Sequence, residues 1–125
     1  MNDKTIEQGI QAHGANVAPR ITPADIEANI VSEHYFTAEQ GDQQAQEDAY
    51  DGQSVQETAS PLGLLTFCVL VLRNGFTVTG ESACASPENF NSEIGRRIAR
   101  ENAVSKVWPL LGYALKDKLA CAPSS

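Results

Sequence analysis

Few side chains in this sequence have the chemistry of a catalyst. Gly80-Glu81-Ser82-Ala83-Cys84 is not the G-x-S-x-G nucleophile elbow, because position 84 is cysteine, and a serine nucleophile also needs a base held against it. His34 is the one base available outside the opening residues, and nothing in its spacing brings it to Ser82. Cys84 falls just before an expected helix start, where the positive helix end favours a thiolate. Arg96 and Arg97 follow it, but a small packed thiol is the simpler reading. A thiol-dependent hydrolase built on Cys84 is therefore the weakest functional alternative, no catalytic residue is assigned, and a non-enzymatic protein is expected. The cysteines are Cys68, Cys84 and Cys121, with no CxxC pair, and His13 and His34 stand 21 residues apart. Neither pattern has metal-ligand spacing, so no metal and no other cofactor are expected.

Binding chemistry is better represented. Arg96 and Arg100 lie four residues apart, on one face of any helix, and two guanidinium groups so placed can grip a phosphate. Ser86-Pro87-Glu88 has the residues of a helix start, whose free backbone N–H groups favour anions. Trp108 could stack on a base. Ser86, Arg96, Arg100 and Trp108 thus form a candidate site for a small anionic ligand of nucleotide type. The competing reading is a solvated helix face, since Glu93 and Glu101 interrupt the basic set, with the aromatic residues in the core.

These residues must be positioned by a short chain. It has 125 residues and a formal net charge of −7, enough for one domain. The charge is uneven: residues 1–60 hold two bases and eleven acids, residues 61–125 seven bases and five acids. The acidic balance argues against nucleic acid as a partner, because phosphate neutralisation needs clustered cations. The longest unbroken apolar run, Phe67–Leu72, is six residues, against roughly 20 for a spanning helix, so no membrane segment is expected. The opening residues show no basic start or apolar stretch, and no secretion signal is expected. The cysteines then read as reduced thiols.

Residues 1–20 carry few apolar side chains and read as a disordered tail. Thr22-Pro23-Ala24-Asp25 starts a helix, with a hydroxyl cap, proline first and an acid in the first turn. Ile26 and Ile30 share a face, and the N-terminal helix is expected within 21–37, ending near His34–Phe36. Residues 38–61 are polar and acidic and read as a flexible linker or loop. The core is expected in 62–120, a hairpin plus helices, and 121–125 as a frayed tail. Within the core, Phe90, Ile94 and Ile98 recur every four residues, and Ala99, Ala103 and Val107 continue beside them. Pro109 is expected to stop or kink that helix, leaving a short C-terminal helix with Leu111, Leu115 and Leu119. The fold class is α+β: an antiparallel β-hairpin packed by a long helix, a short C-terminal helix and an N-terminal helix.

The hairpin carries most of the inference. Leu64–Leu72 and Phe76–Ser82 flank Arg73-Asn74-Gly75, and Asn-Gly is the preferred two-residue hairpin turn. With Asn74 and Gly75 as the loop, Val71 faces Val78 and Val69 faces Gly80. Phe67, Val69, Val71, Phe76 and Val78 then share one face, and Thr66, Cys68, Leu70 and Leu72 share the other with Thr77, Thr79 and Glu81. A strand apolar on both faces needs cover on both, and a lone hairpin is marginal in water. A second copy is the economical cover, so a homodimer is expected, with Cys68, Leu70, Leu72, Thr77 and Thr79 at the interface. The competing cover is a third strand, from residues 53–60 or from the end of the first helix.

The segments NGFTVTGESAC (Asn74–Cys84), NFNSEIGRRIA (Asn89–Ala99) and WPLLGYALKDKL (Trp108–Leu119) resemble the core of a small bacteriophage family, the phage protein 49/66 family. The upstream ITPADIEANIVSEHYF is similar to a helix of its longer members. The resemblance carries no established activity or catalytic residue. It implies a phage or prophage accessory protein in the host bacterial cytoplasm. The leading expectation is a non-enzymatic protein that binds a host component, with counter-defence as one such role. The alternative is a homo-oligomer that sequesters a nucleotide-type signal between subunits.

Overall fold

The computed structural model describes residues 18–49 and 60–121. The tail expected over 1–20 lies outside these residues up to position 17, as do residues 50–59 and 122–125. The first helix, α1 (Pro23–Asn29), opens on a reciprocal cap. The Thr22 Oγ1 accepts from the Asp25 N–H at 3.2 Å, and the Thr22 N–H donates to the Asp25 carboxylate at 2.9 Å. Ile26 is buried at its centre.

Helix α1 ends earlier than its apolar spacing suggests. Residues Ile30–Thr37 form strand β1, not the rest of a helix. Isoleucine, valine, tyrosine, phenylalanine and threonine lose side-chain freedom in a helix and fit a pleated surface, and β1 finds a partner for its backbone along strand β2 (Leu65–Leu72). Helix α2 (Ala38–Asp48) follows at once, where a linker was expected. Its start is a second capping box: the Thr37 N–H donates to Gln40 Oε1 at 2.9 Å and the Gln40 N–H to Thr37 Oγ1 at 3.2 Å. Helix α2 buries no residue. Side-chain pairs one turn apart support it, Gln44 to Asp48 at 2.9 Å and Gln46 to Asp42 at 2.8 Å.

A short 3₁₀ turn (Ser60–Leu64) leads into β2, and strand β3 (Thr77–Ala83) completes a three-stranded antiparallel sheet of order β1-β2-β3. The hairpin is present, but its register is one residue from the expected one. Val71 faces Thr77, Leu70 faces Val78 and Cys68 faces Gly80. The loop has three residues: the Gly75 N–H donates to the Leu72 carbonyl at 2.8 Å, and the Leu72 N–H to the Phe76 carbonyl at 2.8 Å. Gly75 has φ +91° and Asn74 does not have positive φ, so Asn-Gly serves a three-residue loop with glycine in the left-handed position, not a type I′ turn. A one-residue shift turns every side chain of β3 to the other face. Val78 therefore joins Cys68, Leu70 and Leu72, and Thr77 and Thr79 lie on the opposite face.

Helix α3 (Ser92–Ala120) crosses the Cys68–Leu70–Leu72 face. It is capped by Asn91, whose Oδ1 accepts from the Ile94 N–H at 3.0 Å. It buries Gly95, Ala99, Ala103 and Val107, a stripe of small side chains at four-residue spacing, while Ile94 and Ile98 stay exposed. The sheet side explains the choice, because Gly80 of β3 lies directly under the helix backbone. Pro109 neither stops nor splits this helix, which runs on for its full 29 residues. Proline removes one N–H from the ladder, and the turns on either side keep their own bonds while Leu111 still packs on the core.

The expected interface is corrected by this packing. Cys68 and Leu70 are 0% exposed and Leu72 is 4% exposed within one chain. The chain's own helix covers them, so the need for a second copy on that face disappears.

Candidate functional site

The four residues chosen for an anionic ligand do not converge. Ser86 is the cap of a separate 3₁₀ turn, Pro87–Asn89, and not of the long helix, which begins at Ser92. The Ser86 Oγ accepts from Asn89 Nδ2 at 3.1 Å, and its carbonyl from the Cys84 thiol at 3.2 Å. Trp108 packs against the core, twelve residues along α3 from Arg96, or about 18 Å at 1.5 Å per residue.

Arg100 is already occupied. Its Nε donates to Glu33 Oε1 at 2.9 Å and its Nη2 to Glu27 Oε2 at 2.8 Å. Tyr35 adds its hydroxyl to Glu33 Oε1 at 2.7 Å. Bonds from Arg100 first and Tyr35 second hold the Glu33 carboxyl below the usual carboxylate range. Burial, then the bond to Glu33, pushes the Tyr35 phenol well above its ordinary value, so it remains a donor. Burial also raises the Cys68 thiol. This network ties α3 to α1 and β1, and it is structural.

The candidate nucleophile and base are likewise apart. The His34 Nε2 lies 3.0 Å from Ser32 Oγ, and His34 faces Val69 across the sheet. Cys84 follows the end of β3, where its N–H donates to the Leu64 carbonyl at 2.9 Å. Among the described residues no group of three or more His, Cys, Asp or Glu side chains is placed to hold a metal ion.

What the fold does assemble is the outer face of the sheet. Strand alternation puts Cys68, Leu70 and Leu72 inward, and Leu65, Phe67, Val69 and Val71 outward. The outward four are half-buried and run along the central strand for about 20 Å, at roughly 3.4 Å per residue. The registers set Ser32, His34 and Phe36 on one side of this strip and Thr77, Thr79 and Glu81 on the other. The Phe36 and Phe67 rings stack obliquely, with centroids 5.7 Å apart, and Phe36 is 40% exposed. The result is an apolar centre with a polar rim and no lysine or arginine. The outward alternation of Phe67, Val69 and Val71 was legible in the sequence. The contribution of β1 was not, because its residues read as helix.

Fold and face together define a two-layer α+β domain, an antiparallel sheet closed on one side by the long helix α3 and, among the described residues, left half-exposed along β2 on the other. The chain belongs to the Phage protein (N4 Gp49/phage Sf6 gene 66) family, whose model matches residues 21–119, from just before α1 almost to the end of α3. The family resemblance drawn from the sequence segments is thereby shown. No curated protein and no solved structure matches the chain. Among the described residues no helix is long and apolar enough to cross a membrane.

Proposed function

We propose that this phage protein is a non-enzymatic accessory protein of the host cytoplasm that binds a host protein through the outer face of its sheet. The observation that carries the reading is the strip Phe36–Phe67–Val69–Val71, left half-exposed after the chain has completed its core on the other face. An apolar centre inside a polar rim is the anatomy of a protein interface. An apolar strip about 20 Å long suits a protein better than a small molecule, and one without cations does not suit nucleic acid. Counter-defence is one role that such binding would serve.

Thr79→Arg and Val69→Lys test the face, the first on its exposed rim and the second at its centre. A host protein captured by the wild type, identified by mass spectrometry and rebound in purified form, is expected to be lost with both variants and kept by Arg97→Ala on the helix. Capture indifferent to both face variants overturns the reading. A second copy of the chain would dock on the same face. Light scattering separates the two cases: a 13.4 kDa species is expected for the wild type. A dimer that Thr79→Arg dissolves would reassign the face to self-association.

A further inference from the structure

A cavity of about 250 Å³ lies where β1 meets α2 and β2 meets the start of α3. Its wall includes Tyr35, Gln40, Thr66, Phe90, Ser92 and Arg96, and no carboxylate. Thr66 is 3% exposed, and its hydroxyl is the buried side-chain polar atom, among the described residues, that has no hydrogen-bond partner. A buried hydroxyl with no partner is costly, and a bound acceptor recovers that loss.

The other donors are similarly uncommitted. Arg96 forms no ion pair with any described residue, whereas Arg100, one turn further along α3, is held by two glutamates. The Gln40 side-chain oxygen is used by the cap, leaving its NH₂ as a donor. Two helices begin at the cavity, α2 after Thr37 and α3 at Ser92, and their free N–H ends add partial positive charge. The site does not depend on the outer-face reading above.

We propose that this cavity binds the phosphate of a small organic monophosphate, held by Arg96, Thr66, Ser92 and Gln40, with the organic part against Phe90. A guanidinium, two hydroxyls and an amide offer more separate donors than two carboxylate oxygens use, and a phosphate has the acceptors to meet them. The volume is below the roughly 300–1,000 Å³ of pockets for drug-sized ligands, so a dinucleotide is too large.

Titration of the ¹⁵N-labelled full chain with phenyl phosphate, in buffer free of phosphate, reads this directly. Saturable shifts are expected at Thr66, Ser92 and Arg96. Arg96→Gln and Thr66→Val are each expected to weaken binding about tenfold, as for loss of one strong hydrogen bond, and Thr66→Ser to retain it. Thr66→Val is expected to melt no lower than the wild type without ligand, since its hydroxyl has no partner to lose. No saturation by on the order of 10 mM overturns the proposal, because so weak an association is nonspecific. Binding unchanged in Arg96→Gln overturns it as well. Benzoate binding as tightly as phenyl phosphate overturns the phosphate assignment.

Discussion

Gly80 of β3 and Ala103 of α3 approach so closely that a Cβ on Gly80 would fall on the Ala103 backbone. The Ala99 carbonyl bounds the same space. Helix and sheet are in backbone contact there, and this contact selects the small stripe Gly95–Ala99–Ala103–Val107 for the interior over the larger Ile94 and Ile98. Gly80→Ala is therefore expected to destabilise the domain by about 3 kcal/mol, at the upper end for overpacking, since the obstruction is backbone. Urea denaturation measures it, and a loss under about 0.5 kcal/mol, the size of an ordinary surface change, would show that the helix can lift off the sheet freely.

The two faces of β2 should respond differently to truncation. Leu70 is fully buried under α3, and Leu70→Ala is expected to cost about 2–5 kcal/mol. Val69, its neighbour, lies on the half-exposed outer face, and Val69→Ala is expected to cost about 1 kcal/mol or less. Equal losses in a monomer would mean that the outer face is as well packed as the inner one.

How far the sequence disclosed this arrangement depends on which signals were local. The Thr22 cap and the strand Leu65–Leu72 are written in adjacent residues and form as expected, whereas the long helix starts at Ser92 under an Asn91 cap and not at the expected Ser86-Pro87-Glu88, which forms a separate 3₁₀ turn. The identity of β1 depended on a partner 29 to 42 positions away, because Ile26 and Ile30 satisfy a helical period and pairing with β2 adds to the strand preference of the residues that follow. The hairpin register depended on whether Asn74 takes positive φ, which Asn-Gly permits but does not impose. That one-residue choice moved Thr77 and Thr79 away from Leu70 and Leu72 and with them the expected interface. Helix α2 had a legible signal, Thr37-x-x-Gln40, obscured by the polarity of residues 39–48. The candidate ligand set failed because Arg100 meets Glu27 and Glu33 across 73 and 67 positions, which no spacing rule reveals.

The Arg100 network makes a pH-dependent prediction. The folded-state pKa of Glu33 is depressed, so its contribution to stability is present above the unfolded carboxylate value of about 4.3 and fades as pH falls through the folded value. Arg100→Gln removes the cause of the depression. The stability difference between wild type and Arg100→Gln is thus expected to be about 1 kcal/mol at pH 7, discounted for the partial exposure of both partners, and to shrink below about pH 4. Urea midpoints from pH 3 to 7 measure it. A difference that is constant with pH would mean that Arg100 acts through packing of its stem.

Helix α2 tests how far the order of a segment without a buried side chain depends on its cap. None of its residues is fully buried, so the Thr37–Gln40 box and the pairs Gln44–Asp48 and Gln46–Asp42 contribute to holding it. Each such pair is worth about 0.2–0.5 kcal/mol and the cap about 1 kcal/mol. Thr37→Ala is then expected to melt α2 locally, speeding amide exchange over residues 41–48 roughly fivefold, the equivalent of that cap energy, with little change at Leu70. Global unfolding draws on the sheet and α3, so the thermal midpoint should move by only a few degrees. If amides of α2 and β2 accelerate together, α2 is part of the cooperative core, and contacts beyond its cap hold it there.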